Sequence, residues 1–184
     1  MSERSFLFVL GSSRAGGNTE TLARAAAEHL PEGATASWVN LTDLDVPSFV
    51  DLRHEGDGSY PAPEGDAADL LAATLAATDL VIASPLYWYS VSAPVKLYLD
   101  HWSAWMRVPG VDFRARMAGR RLWAISSVSN EDRHLADPLI GTLTNTATFM
   151  KMTFAGALIG YANRPGDILN DAETLTAAES FFLS

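Results

Sequence analysis

Phe6 to Leu10 is an unbroken apolar run of strand length that stops at Gly11. Behind it, Leu22, Ala26 and Leu30 recur at i, i+4 and i+8, the spacing of one helical face, in a segment opened by Asn18 and closed by Pro31. Thr35 to Leu41 reads as a second strand. Asp43 to Gly65 is rich in Pro and Gly and reads as largely irregular; a connection of that length often belongs near a site. Asp66 to Thr78 is an Ala/Leu helix, and Leu80 to Ala83 is a buried strand ended by Ser84 and Pro85. Ser92 is placed to cap a helix with Pro94 in its first turn, running towards Trp105. Arg121 to Ser126 gives a fourth strand, Leu135 to Met150 a helix and Thr153 to Ile159 a fifth strand. Asp171 then caps a final helix carrying Leu175, Ala178 and Phe182.

Strands alternating with helices of this length imply βαβ units and a parallel sheet covered on both faces. About five strands point to an α/β, flavodoxin-like three-layer sandwich with strand order 2-1-3-4-5. Ligands in such sheets sit beyond the carboxyl ends of the strands. The segments to inspect are therefore those after Leu10, Ala83, Ser126 and Ile159.

A length of 184 residues suits one domain spanning 1–184, and 48% hydrophobic with 19% charged residues is an ordinary globular balance. The formal charge of −9, with no run of Lys and Arg, argues against nucleic acid as a partner. With no cysteine, disulfides, thiolate metal sites and Cys nucleophiles are excluded together. The N-terminus lacks the long apolar region of a signal peptide, and no apolar stretch reaches the length of a membrane span. A cytoplasmic protein without a membrane partner is expected.

The first loop reads Gly11-Ser12-Ser13-Arg14-Ala15-Gly16-Gly17-Asn18-Thr19 before a helix begins. Glycines let backbone N–H groups converge at a helix N-terminus, where the dipole favours an anion. Ser12, Ser13 and Thr19 add hydroxyls and Arg14 a cation. A Walker loop would need Lys at Gly17 and Ser or Thr at Asn18, and the G-x-G-x-x-G fingerprint is absent too. A terminal monophosphate fits what remains, against the blander reading of a polar turn capping the helix. The first strand has no acidic residues near its end to hold magnesium as in a receiver domain. Nor has the loop the cysteine of a low-molecular-weight phosphatase.

The second loop, Ser84 to Pro94, contains Tyr87-Trp88-Tyr89 at a strand terminus. Three adjacent aromatics cannot all point into one core, so at least one is expected to be partly exposed. A flat heteroaromatic ring needs apolar contact and aimed N–H groups, which a Pro-fixed loop supplies. Packing of Tyr87 or Tyr89 under the next helix is the alternative.

On these two loops, and on the continuation Val95-Lys96 to Asp100, the sequence resembles the flavodoxin-like NAD(P)H-dependent FMN reductases and quinone reductases. The order of elements agrees across nearly the whole chain. The resemblance implies FMN as cofactor and NADPH or NADH as electron donor. Hydride would pass through flavin N5 to a small acceptor such as a quinone, azo compound or free flavin, with no catalytic side chain. Ser12, Arg14, Gly17, Asn18 and Thr19 would serve the phosphate, and Pro85, Leu86, Tyr87 and Trp88 the ring and ribityl chain. The third loop, Ser126 to Asp132, departs from the family in having no glycine, although Ser127 and Ser129 still offer hydroxyls or amides. A non-enzymatic flavodoxin-type electron carrier is the rival reading, and a scaffold that has lost its flavin is a third.

His29, His54, His101 and His134 show no metal spacing; His101 is placed to reach a dimer partner and His134 to meet a quinone or nicotinamide, unless each is simply solvated. Lys96 and Asp100 form a helix-face pair. Asp43, Asp45, Asp51 and Glu55 are expected to face water. Trp102, Trp105 and Met106 suggest a subunit contact or a lid over a neighbouring flavin, which fits the homodimers, or higher homo-oligomers, implied by the resemblance. No hydrolase motif occurs.

Overall fold

In the computed structural model, residues 4–183 are described. The strands are β1 (Ser5–Leu10), β2 (Thr35–Asn40), β3 (Asp79–Ala83), β4 (Arg121–Val128) and β5 (Thr153–Tyr161). They form one sheet in the order β2-β1-β3-β4-β5, every neighbouring pair parallel, as the flavodoxin-like reading requires. The helices are α1 (Asn18–Ala27), α2 (Gly65–Ala76), α3 (Ala93–Trp105), α4 (Phe113–Met117), α5 (Asp137–Phe149) and α6 (Ala172–Ala178). Only α4 has no counterpart in the sequence reading. Its five residues are too few for a periodicity to stand out.

Alternation along the central strands sends successive side chains to opposite faces, and both faces are apolar. Leu7, Val9, Leu80, Ile82, Leu122 and Ala124 meet α2, α3, α4 and α5 on one face. Phe6, Phe8, Val81, Trp123 and Ile125 meet α1, α6 and Phe182 on the other. Burial of each large aliphatic or aromatic side chain stabilises by about 1.5–3 kcal/mol. The strand ends are level where a site would form: Leu10 pairs with Ala83, and Ala83 with Ile125.

The long connection between β2 and α2 leaves that end of the sheet and then turns away from it. Phe49, Leu52 and Tyr60 pack against Ala104 and Val108, so it folds along the C-terminal half of α3. Tyr60 Oη accepts from Leu52 N at 2.6 Å, and His101 Nε2 donates to Pro47 O at 2.8 Å. Apolar anchors hold it there, and with His101, Ala104, Trp105 and Val108 it lines a second cavity of about 290 Å³. Asp43, Asp45, Asp51 and Glu55 face water, as expected. No helix among the described residues is long and apolar enough to cross a membrane.

At the opposite end of the sheet, Asp79 is wholly buried at the start of β3. Its carboxylate accepts from Arg4 Nη2 at 2.6 Å and Nε at 3.2 Å, from Trp123 Nε1 at 2.9 Å and from Thr78 Oγ1 at 2.8 Å. Arg4 Nη1 also donates to Phe182 O at 2.8 Å, tying the first strand to the last turn of the chain. Burial pushes the Asp79 pKa up, but the hydrogen bonds from Arg4, Trp123 and Thr78 outweigh it and hold it below the usual carboxylate value. Asp79→Ala strands these donors, so a loss of about 3 kcal/mol is expected in urea unfolding at pH 7. Because the folded pKa is depressed, the stabilisation is complete above the unfolded value of about 4 and fades as pH falls through the folded one. The variant should lack that part of the acid dependence; equal stability of variant and parent at pH 7 would refute the assignment.

Candidate functional site

At the C-terminal edge of the sheet a cavity of about 340 Å³ is lined by Ser12, Arg14, Gly17, Asn18, Thr19, Pro85, Leu86, Tyr87, Ser127 and Ser129, together with Ala162 and Asn163. The sequence reading named the first ten of these from three separate stretches of chain, and the fold brings them into one place. Trp88, and Ser13 of the first-loop hydroxyls, are not among the lining residues.

The first loop passes directly under α3. Gly11 N donates to Ala83 O at 2.9 Å, carrying the sheet ladder one residue further, and Ser92 Oγ donates to Gly11 O at 2.6 Å. Ser92 thus stands at the N-cap of α3, as expected, but its hydroxyl serves the neighbouring loop instead of capping the helix. A Cβ on Gly11 would lie 2.2 Å from Val95 Cγ2, so only glycine allows this approach. Ser12 Oγ accepts from Arg14 N at 3.1 Å and donates to Arg14 O at 3.0 Å, which rounds the loop into a bowl.

Helix α1 then starts at Asn18 with Gly17 as N-cap and no side-chain cap. Its first N–H groups therefore have no partner within the helix, and Gly17, Asn18 and Thr19 line the cavity. Glu20 Oε2 accepts from Gly16 N at 2.8 Å, and its other oxygen is held by Arg24. Burial raises the Glu20 pKa, but the Arg24 and Gly16 hydrogen bonds prevail and keep the carboxyl below its ordinary value. Thr19, 3% exposed, shares a hydrogen bond of 3.1 Å with Ser127 Oγ, joining the first loop to the third. Asn18 directs its side-chain amide to the loop after β5: Nδ2 donates to Arg164 O and Oδ1 accepts from Gly166 N, each at 2.9 Å.

Tyr87 and Ser90 exchange two backbone hydrogen bonds, of 3.2 and 3.1 Å, around a two-residue turn. Trp88 and Tyr89 occupy that turn at φ +49° and +64°. Asn and Gly normally fill these positions, because a Cβ in the left-handed region costs about 1–2 kcal/mol per residue. Trp88 is 92% exposed and Tyr89 53%, with Tyr87 at 52% beside the cavity. All three aromatics are therefore exposed, more than the sequence reading required.

The glycine-free third loop still lines the cavity through Ser127 and Ser129. Ser126 is buried with its Oγ unpartnered among the described residues. Ala162 and Asn163 were missed as residues, although the rule for strand ends pointed to the segment after Ile159. Ala162 N donates to Val128 O at 2.8 Å, which ties the segment after β5 to the end of β4. Nothing in their side chains distinguished them.

Other candidates are resolved differently. Trp102 and Trp105, 3% and 1% exposed, stack edge-on with Tyr98 and Phe113 inside the chain's own core, so neither is available as a subunit contact or lid. His101 is held by the long connection rather than presented to a partner. His134 is exposed and lies 3.3 Å from Asp137, outside the cavity lining. Lys96 and Asp100 form the expected exposed pair at 2.6 Å.

The model of the NADPH-dependent FMN reductase family matches residues 5–163. The chain belongs to this family. It is 34% identical over 171 residues, 92% of each chain, to YwqN of Bacillus subtilis (strain 168), named as an NAD(P)H-dependent FMN-containing oxidoreductase. A solved structure of the Trp repressor binding protein from Bacillus subtilis matches 96% of each chain at 29% identity and a TM-score of 0.76. An NAD(P)H:quinone oxidoreductase from Methanothermobacter marburgensis shares the fold alone, at 15% identity and a TM-score of 0.73 over 98% of each chain. As a member of the family, this protein is an NAD(P)H-dependent FMN oxidoreductase.

The lining residues suit that cofactor. An uncapped helix start beside Arg14 and two hydroxyls provides for a phosphate. Gly17 has φ −69°, which any residue adopts, yet a Cβ there would stand 3.5 Å from Ser12 Oγ and Arg14 O, within the bowl. Glycine there leaves room for a ligand rather than relieving the backbone. The strained turn gives a direct prediction. Replacing Trp88-Tyr89 by Asn-Gly should raise stability by about 1–2 kcal/mol in urea unfolding; a loss of stability would mean that the aromatics are held by packing instead.

Proposed function

We propose that the cavity holds FMN and that the protein passes reducing equivalents from NAD(P)H to a small planar acceptor of the quinone or azo kind. What supports this reading is one observation: ten residues named from the two family loops and the third loop line a single cavity at the carboxyl ends of the strands. Bound there, FMN supplies reversible hydride transfer at N5.

In this reading the chain binds and orients. The free N–H groups at the start of α1, with Ser12, Thr19 and Arg14, neutralise and hold the phosphate. Pro85, Leu86 and Tyr87 give an apolar wall on one side, and Ser127, Ser129, Ala162 and Asn163 a mostly polar one on the other. Trp88 and Tyr89 stand outside this cradle. Their exposed faces are offered to the planar donor and acceptor, which use the same approach in turn. No side chain is needed to hold or move a proton. A homodimer, if formed, draws on surfaces other than Trp102 and Trp105, because both are within the chain's own core.

The test is an anaerobic mixture of FMN-loaded protein with NADPH or NADH, followed by the visible flavin band. Rapid bleaching, reversed by a quinone or azo compound, is the expected result. A flavin that stays oxidised with both donors would instead indicate an electron carrier supplied by a protein partner. Trp88→Asn/Tyr89→Gly, which keeps the turn, should lower kcat/KM for a planar acceptor about fivefold while FMN affinity holds, since loss of a stacking partner is worth about 1 kcal/mol.

A further inference from the structure

We infer that Asn18 is a positioning residue: its side chain serves the loop at 162–166 and shapes the flavin cavity through it, without contacting the phosphate. The inference rests on the FMN reading above. Asn18 opens α1 beside the bowl, where its residue type suggests a phosphate ligand. Both ends of its amide are instead engaged with backbone 146 and 148 residues away, Nδ2 with Arg164 O and Oδ1 with Gly166 N. A primary amide presents a donor and an acceptor side by side, which matches a C=O and an N–H two residues apart. A carboxylate has no donor, and a hydroxyl cannot reach both.

The loop it grips needs a second hand. Beyond Ala162 N, whose bond to Val128 O ends the ladder, the chain leaves the sheet. From its inner side Asp167 Oδ2 accepts from Arg164 N at 2.6 Å and from Asn163 N at 3.3 Å. Gly166 turns at φ +88°, which aims its N–H out of that turn towards Asn18. The segment carrying Ala162 and Asn163 is therefore fixed from within by Asp167 and from without by Asn18. Meanwhile the backbone N–H of Asn18 remains in the uncapped first turn. One residue thus joins two parts of the cavity lining, its backbone at the start of α1 and its side chain at the loop after β5.

The experiment compares FMN with riboflavin, which lacks the phosphate, on the parent protein and on Asn18→Ala. Loss of the clamp should weaken both ligands by the same factor, about tenfold for two lost hydrogen bonds. A loss confined to FMN would make Asn18 a phosphate ligand and overturn the inference. Asp167→Ala, which loosens the loop without touching the bowl, should likewise weaken both ligands equally. The double variant should be no weaker than the poorer single one, whereas additive losses would show that the two residues do not act through one loop. Amide exchange in the flavin-free protein gives an independent readout. Asn18→Ala should speed exchange of the Gly166 N–H about tenfold and leave the β3 amides unchanged; equal rates at Gly166 would overturn the clamp. If the parent protein binds neither flavin, the proposed function fails, and the exchange rates alone decide the clamp.

Discussion

The contact on which the site depends is the passage of Gly11 beneath the start of α3. One hydrogen bond ties Gly11 to the end of β3 and another ties it to Ser92, while Val95 closes over the space that a side chain would need. The two ligand loops therefore meet at a fixed separation. Ser84 strengthens the junction, because its Oγ accepts from Ser92 N at 2.9 Å. A tight junction of this kind sets the bowl and the aromatic turn against each other before any ligand arrives, which is the condition for binding without a large ordering cost.

Rigidity there contrasts with strain a few residues on. The Tyr87–Ser90 turn uses two bulky aromatics where glycine or asparagine would be easier, and it leaves them in water. Neither conformational preference nor burial explains that choice. Strained residues that persist on a fixed frame are concentrated where a ligand must be met. The aromatic pair beside the cavity proposed for FMN follows that pattern. The strain is small against the energy of the two apolar faces of the sheet, so the fold tolerates it.

At the other end of the sheet, the Asp79 cluster joins Arg4, Trp123 and the carbonyl of Phe182. It secures the two chain ends against the central strands and takes no part in the cavity. The long connection after β2 is anchored on α3 through Phe49, Leu52 and Tyr60. The cavity of the proposed function lies at the carboxyl ends of the strands, and the Asp79 cluster at their amino ends.

Much of this protein was legible in its sequence, because the signals were local. Apolar runs, helical spacing and punctuation by Gly and Pro identified five strands and five of the six helices, and a parallel sheet places its ligand loops at one edge by geometry alone. The composition of the first two loops was enough to name most of the cavity lining. What the sequence could not decide were matters of partner choice between distant segments. Trp102 and Trp105 looked like surface features, since nothing local says that Tyr98 and Phe113 enclose them. Ser92 was recognisable as a cap, but the carbonyl it bonds lies 81 residues away. Ala162 and Asn163 carry no chemical signal, and nothing near Asn18 announces that its amide bonds the loop after β5. Periodicity fixes which face a residue presents; only packing of the whole chain decides what that face meets.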